Sequence, residues 1–279
     1  MTKQMKRFFV HAAVAALAVL SCIAWNPIHG AAQAGNTKAF VAPGVFQAAG
    51  PNIASVQGIV EQFRVALGGA NNLNAPGPLA GGRREINWDG GGSSATALAP
   101  TPFTGFLTNR GALFSTDGEG FVQAPLEGLV TTFGNLSYDQ IFQPFSQLRL
   151  FSPVGSNVTD VTFFIPGGGN VAATTSGFGA VFSDVDQPDG SGPAGKRGNR
   201  GSSTLVEYYG AGGNLLFSGF VPASPGDASL SFFGVIFADP LIAHVRITSG
   251  DALPSLDDEA NRDVVMMDDF IFGEPRAGE

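Results

Sequence analysis

The sequence predicts a mainly β protein, an antiparallel jelly-roll-like β-sandwich with one N-terminal helix packed on it. Three observations carry that expectation. About ten short runs rich in Phe, Val, Ile and Thr stand between Gly, Pro, Asn and Asp punctuation, the pattern of strands joined by turns. Glycine and proline number 39 and 18 of 279 residues, about a fifth of the chain against a usual ~12%. Charged side chains make up only 14% and hydrophobic ones 44%, enough apolar surface for a core. That balance excludes a coiled coil, a long-helix bundle and a basic nucleic-acid binder.

The first segment reads as an address. Lys3, Lys6 and Arg7 precede an apolar stretch from Phe8 to Ala24, and Ala32-Gln33-Ala34 matches a small-residue cleavage site. Residues 1–34 are therefore expected to be a signal peptide removed near Ala34, with a secreted or periplasmic product. Two rivals stand beside this: the apolar stretch as a membrane anchor, at the short end of the spanning range, and lipoprotein processing at Cys22 after Val19-Leu20-Ser21. Cleavage leaves 12 basic and 23 acidic side chains and a net charge near −11. That acidity argues against nucleic acid or an anionic membrane surface as partner. It also leaves no cysteine, so a core or a bound ion must do what disulfides do in many exported proteins. No later segment is apolar and long enough to span a membrane as a helix.

Residues 35–50 are small and weakly patterned and are expected to form a flexible lead. A single domain then occupies 51–279. Apolar residues at 53, 56, 59/60, 63 and 67 repeat at helical spacing, Asn52 is placed to cap, and Gly68-Gly69 to stop, a helix over 53–67. Beyond it the helical period disappears. Strands are expected at Arg84–Trp88, Gly111–Ser115, Phe121–Gln123, Gln147–Phe151, Val158–Ile165, Gly177–Asp184, Thr204–Tyr209, Leu215–Val221, Ser229–Phe237, Ile242–Ser249 and Val264–Phe272. Thr162–Ile165 and Leu230–Phe233 are apolar on both faces, which fits strands covered on both sides. Gly90–Pro102, Gln187–Ser203 and the acidic Asp251–Asp263 read as loops.

The chemistry available is narrow. After cleavage one histidine remains, His244, on the polar side of Leu241-Ile-Ala-His-Val-Arg-Ile247, and there is no G-x-S-x-G elbow and no thiol. Carboxylates are the resource left. Asp184 and Asp186 are two residues apart, Asp268 and Asp269 adjoin the last strand, and Glu85 and Asp89 flank Asn87-Trp88. These six are the candidate metal ligands, for a structural Ca2+ that takes six to eight oxygens. The competing reading has them capping turns or pairing with Arg83, Arg84 and Arg246. Asp257, Glu259, Asn261, Asp263 and Asp268 also echo an EF-hand loop, but Arg262 stands where that loop needs glycine. Trp88, Tyr208 and Tyr209 are the candidate ligand-stacking residues, although 24 phenylalanines in the chain argue first for a core. Asn135-Leu-Ser and Asn157-Val-Thr match the glycosylation tripeptide.

From about Phe142 to Pro275 the chain resembles a group of uncharacterised bacterial exported proteins. The resemblance rests on Arg149-Leu-Phe-Ser-Pro-Val-Gly-Ser-Asn157, Gly177-Phe-Gly-Ala-Val-Phe-Ser-Asp-Val-Asp186, Ser231-Phe-Phe-Gly-Val235 and Met267-Asp-Asp-Phe-Ile-Phe-Gly-Glu-Pro275. The last two are also loosely similar to the final strands of galactose-binding-like β-sandwich modules. The resemblance implies a jelly roll, often with structural calcium, and carries over no sugar site.

The expected function is a secreted, non-catalytic, calcium-stabilised module that binds carbohydrate or a cell-surface or matrix ligand. Two alternatives belong to other classes: a structural or assembly protein of the envelope, and a polysaccharide-active enzyme working through a carboxylate pair.

Overall fold

The computed structural model of the chain describes residues 41–90, 94–186, 203–258 and 262–278. The expected leader, the first part of the lead and nearly all of the Gln187–Ser203 loop lie outside them.

The first half of the described chain runs β1 (Gly44–Gly50), α1 (Ile53–Ala66), β2 (Arg83–Ile86), β3 (Ala97–Pro100), α2 (Leu107–Arg110), β4 (Ala112–Ser115), β5 (Gly120–Ala124), α3 (Leu126–Phe133) and α4 (Tyr138–Ile141). The second half is strands alone: β6 (Leu150–Val154), β7 (Val158–Phe163), β8 (Gly177–Ser183), β9 (Leu205–Tyr209), β10 (Leu215–Phe220), β11 (Leu230–Ile236), β12 (His244–Thr248) and β13 (Met266–Gly273). Two antiparallel sheets form. One has the order β1-β11-β8-β13-β6-β5-β3, with β2 also paired to β13, and the other the order β10-β9-β12-β7-β4. From β6 onward the chain passes between sheets at almost every connection, and only β9 and β10 are successive neighbours in one sheet. That crossing pattern makes a jelly-roll-like sandwich rather than two stacked meanders.

Aromatic rings fill the space between the sheets. Trp88 is fully buried, stacks on Phe151 at 3.7 Å between ring centroids, and meets Phe114 and Phe270 edge-on at 5.3 and 5.0 Å. Phe163, Phe178, Phe182 and Phe272 belong to the same core. Such rings each bury ~150–250 Å2, so this layer dominates the stabilisation of the fold.

The large sheet is covered outside as well, which explains the doubly apolar strands. All seven residues of β8 and all eight of β13 are buried. Their outer face meets α1, whose Val56, Val60 and Phe63 pack on Val181, Phe232 and Ile271. Further along the same face, Leu129, Tyr138 and Ile141 of α3 and α4 cover Val122, Leu150 and Met266. The expected helix forms with its cap, since Asn52 Oδ1 accepts from the Ser55 N–H at 3.2 Å.

Several expectations need correction. The lead is not loose over Gly44–Gly50, because all seven residues pair with β11, from Gly44 opposite Ile236 to Gly50 opposite Leu230. Small residues suit a strand lying under a helix, and carry little hydrophobic signal of their own. The Gly90–Pro102 loop contains β3, which pairs with β5. The strand expected at Gln147–Phe151 begins at Leu150 and continues through Pro153, opposite Phe121. Three short helices, α2 to α4, join the one expected.

Candidate metal centre and ligand cleft

The six carboxylates expected to surround one ion do not converge. Glu85, on β2, accepts from Arg64 Nε at 3.0 Å and from Arg64 Nη2 at 3.3 Å, and also pairs with Arg83. Asp269 accepts from Arg64 Nη2 at 3.0 Å. It sits at a β-bulge of β13 with φ near 20°. Asp268 accepts from the backbone N–H groups of Phe145, Ser146 and Asp269 at 2.7, 3.0 and 2.7 Å, and from Ser146 Oγ at 3.1 Å. Those donors fix the 145–146 segment against β13 and occupy both oxygens of Asp268. Asp89 accepts from Asn87 Nδ2 at 3.3 Å, and burial raises its carboxyl against the pull of Arg149. Glu85 and Asp269 thus pair with arginine and Asp268 holds a backbone turn, while Asp89 and Asp269 each keep one buried oxygen without a hydrogen-bond partner.

Asp184 and Asp186 go elsewhere. Strand β8 ends at Ser183, and the chain turns at Asp184 through the left-handed region, φ 70°. Val185 is inserted in the core, so the two acids flank an anchored residue. Asp258, from the acidic loop, joins them, and one carboxylate oxygen from each of the three lies within 4.8 Å of the others. Oxygens bound to one calcium ion at 2.3–2.6 Å are at most about 5 Å apart, so this spacing fits a shared ion.

Backbone donors aim two of the acids. Gly226 N–H donates to Asp186 Oδ1 at 2.8 Å, and Val264 N–H to Asp258 Oδ1 at 2.9 Å. Asp263 braces the group, its Oδ2 accepting from the Asp186 N–H at 3.2 Å. Asp184 differs: it is 0% exposed and neither carboxylate oxygen has a hydrogen-bond partner. Burial, together with Asp186, Asp258, Asp263 and Asp227, pushes its carboxyl up to about 9. Burial also raises Asp258 to about 6. The four side chains that raise Asp184 are all acids.

Asp258 was missed because the alternate-residue pattern in the loop points to Asp257, Asp263 and their odd-numbered neighbours, one position out of phase. Glu259 and Asn261 of that pattern lie outside the described residues. The usable signal was the acidity of the loop itself.

The second feature lies on the small sheet. A cleft of about 660 Å3 is lined by Thr162, Thr174, Tyr209, Gly210, His244 and Arg246, among others. The alternation along β12 puts Val245 and Ile247 in the core and His244 and Arg246 outward, as expected. Opposite Arg246 on β7 stands Asp160. It accepts from Arg246 Nε at 2.9 Å and Nη2 at 2.8 Å, and contacts His244 Nε2 at 2.6 Å. Burial works to raise this carboxyl, but His244 and Arg246 outweigh it and hold it down at about 2. The Tyr209 ring stacks on His244 with centroids 5.2 Å apart.

Of the three expected stacking residues, only Tyr209 is available. Trp88 is wholly inside the core, and Tyr208 is buried on the opposite side of β9, its hydroxyl donating to Phe178 O at 3.3 Å. The glycosylation tripeptides are also in structural use. Asn135 Nδ2 donates to Leu256 O and Asp257 Oδ1, and Asn157 Nδ2 to Gly250 O.

Among the described residues no helix is long and apolar enough to cross a membrane. No protein family, curated protein or solved structure matches the chain.

Proposed function

We propose that this chain is an exported, non-catalytic β-sandwich module that binds carbohydrate, presented by a cell surface or matrix, in the cleft of Tyr209, His244 and Arg246. The cleft carries the reading. It combines one aromatic ring, suited to the apolar face of a sugar, with an arginine and a histidine held in place by one carboxylate. Arg246 shares Asp160 with His244 in a planar, two-pronged pair, so its remaining donors meet a ligand with little side-chain ordering left to do. The leader-like residues 1–34 and the resemblance to exported jelly-roll proteins support delivery outside the cytoplasm.

A glycan array probed with the purified protein tests this. A bound glycan whose signal falls at least ten-fold in Tyr209→Ala and in Arg246→Ala, with melting temperature within a few degrees of the parent, is the expected result. No binding to any glycan, or binding indifferent to both substitutions, overturns it.

A second reading has one observation of its own. Arg64, Glu85, Arg110 and Asp269 line a pocket of about 320 Å3. There burial pushes the Asp269 carboxyl up to about 6, toward the range of a general acid. Polysaccharide hydrolysis that disappears in Asp269→Asn would establish the enzyme reading, and none in the parent protein removes it.

A further inference from the structure

We infer that Asp184, Asp186 and Asp258 form a calcium site that joins the end of β8 to the acidic loop before β13. This site is separate from the carbohydrate cleft and shares no residue with it.

The acids alone would not carry this. Three nearby carboxylates are common on protein surfaces and usually keep apart by turning to water. What distinguishes this group is Asp184. Its side chain is fully buried, yet neither oxygen meets a donor, and there is no acceptor for a proton if the group is neutral. A buried carboxyl of either protonation state normally finds partners, because leaving it without them carries the whole desolvation cost. The neighbours that raise it are further acids, Asp186, Asp258, Asp263 and Asp227. A divalent ion supplies the missing partner for both Asp184 oxygens and the positive charge at once.

The donor set identifies the ion. All three ligands are carboxylate oxygens, with no nitrogen or sulfur among them. Hard oxygen ligands suit calcium or magnesium and are poor for zinc or copper. One feature favours calcium: Asp184 has both oxygens without a protein partner, which suits the bidentate contact calcium tolerates. Magnesium demands near-ideal octahedral geometry at about 2.0–2.1 Å and retains more water, which suits a bidentate carboxylate less well.

The backbone contacts prepare the site. Gly226 and Val264 each donate an N–H to one ligand carboxylate, and Asp263 accepts from the Asp186 N–H. These bonds orient the ligands before an ion arrives, as outer contacts do in known metal sites.

Calorimetric titration of the purified, chelator-treated protein with calcium chloride tests the assignment, alongside Asp184→Asn and Asp258→Asn. One calcium per chain is expected, at a dissociation constant of about 10−3 M or tighter, the range of extracellular modules. Calcium at about 100 times that constant should raise the melting temperature by roughly 5–10 °C. Each substitution should weaken binding at least ten-fold, and Asp258→Asn keeps the test open should Asp184→Asn fail to fold. Three results would overturn the inference: no heat and no thermal shift with calcium, calcium binding unaffected by both substitutions, or magnesium bound as tightly as calcium.

Discussion

Phe63 lies so close to Gly234 that a methyl group on that glycine would come within 2.7 Å of Phe63 Cε2. Gly179 is paired with Gly234 across β8 and β11, and its own added methyl would meet Phe63 at 3.0 Å and Phe232 at 2.9 Å. Two facing glycines thus make the hollow into which α1 lowers its largest side chain. Gly234→Ala should cost about 1–3 kcal/mol by overpacking. Phe63→Ala should cost about 3–5 kcal/mol by leaving a cavity. In the Phe63→Ala background the alanine at 234 should cost much less than alone, because the obstruction is gone. Urea unfolding of the two single variants and the double checks all three statements, and strict additivity would contradict the packing described.

Arg84 and Glu274 form a wholly buried pair, with Arg84 Nε to Glu274 Oε2 and Arg84 Nη2 to Oε1 both at 2.7 Å. Arg84 Nη1 also donates to the carbonyls of Leu73 and Ala75 at 2.8 Å. Removing the counter-charge with Glu274→Gln strands a buried guanidinium and should destabilise by about 3–5 kcal/mol. Replacing both residues together by apolar ones of similar size should recover part of that loss. Denaturation midpoints of the single and double variants decide it.

Asp160 gives the small sheet a dependence on acid. Its carboxyl stands at about 2 in the folded protein against an ordinary value of 3.8. A depressed carboxylate stabilises the fold above its unfolded value, and that contribution disappears as pH falls through the folded one. Stability should therefore decline between about pH 4 and pH 2 by about 1 kcal/mol from this group, a figure kept small because His244 and Arg246 are partly exposed. Asp160→Asn should flatten that part of the stability–pH curve, and an unchanged curve would show that the pair contributes nothing to stability.

Tyr138 ties α4 to the acidic loop: its hydroxyl donates to Leu256 O at 2.9 Å and accepts from Ser255 N–H at 2.9 Å. Burial pushes that hydroxyl up to about 12, so it stays protonated at any working pH. Tyr138→Phe should cost about 1–2 kcal/mol. It should also loosen the loop that carries Asp258, so that the calcium binding proposed above would weaken roughly ten-fold with Asp184, Asp186 and Asp258 all intact. Titration of this variant separates support from ligation.

The parts of the fold readable in the sequence were those in which a strand's own residues carry the hydrophobic signal. Phe163, Phe232 and Phe272 announce their strands because each has aromatic or β-branched residues close beside it. Gly44–Gly50 and Ala97–Pro100 are strands by virtue of what they pair with, and runs such as GVFQAAG and ALAP offer no local reason to extend. The cap at Asn52 was legible because a cap is a contact three residues long. The carboxylates were harder. Asp184 and Asp186 stand out as a near pair, but their third partner lies in another loop, and only the turn at Asp184 brings it close. Glu85 and Asp269 looked equally suitable until Arg64, from a helix some twenty residues before Glu85, claimed both.

Strand β13 is the last strand among the described residues, yet it runs through the middle of the larger sheet, with β8 on one side and β6 and β2 on the other. The two flanks of that sheet, β1-β11-β8 and β6-β5-β3, are joined only through residues 266–273. Until those eight residues take their place, each flank keeps an open edge. The seam is a long-range pairing whose loop-closure entropy must be met before its contacts reward it, so joining the flanks should be a slow step of folding.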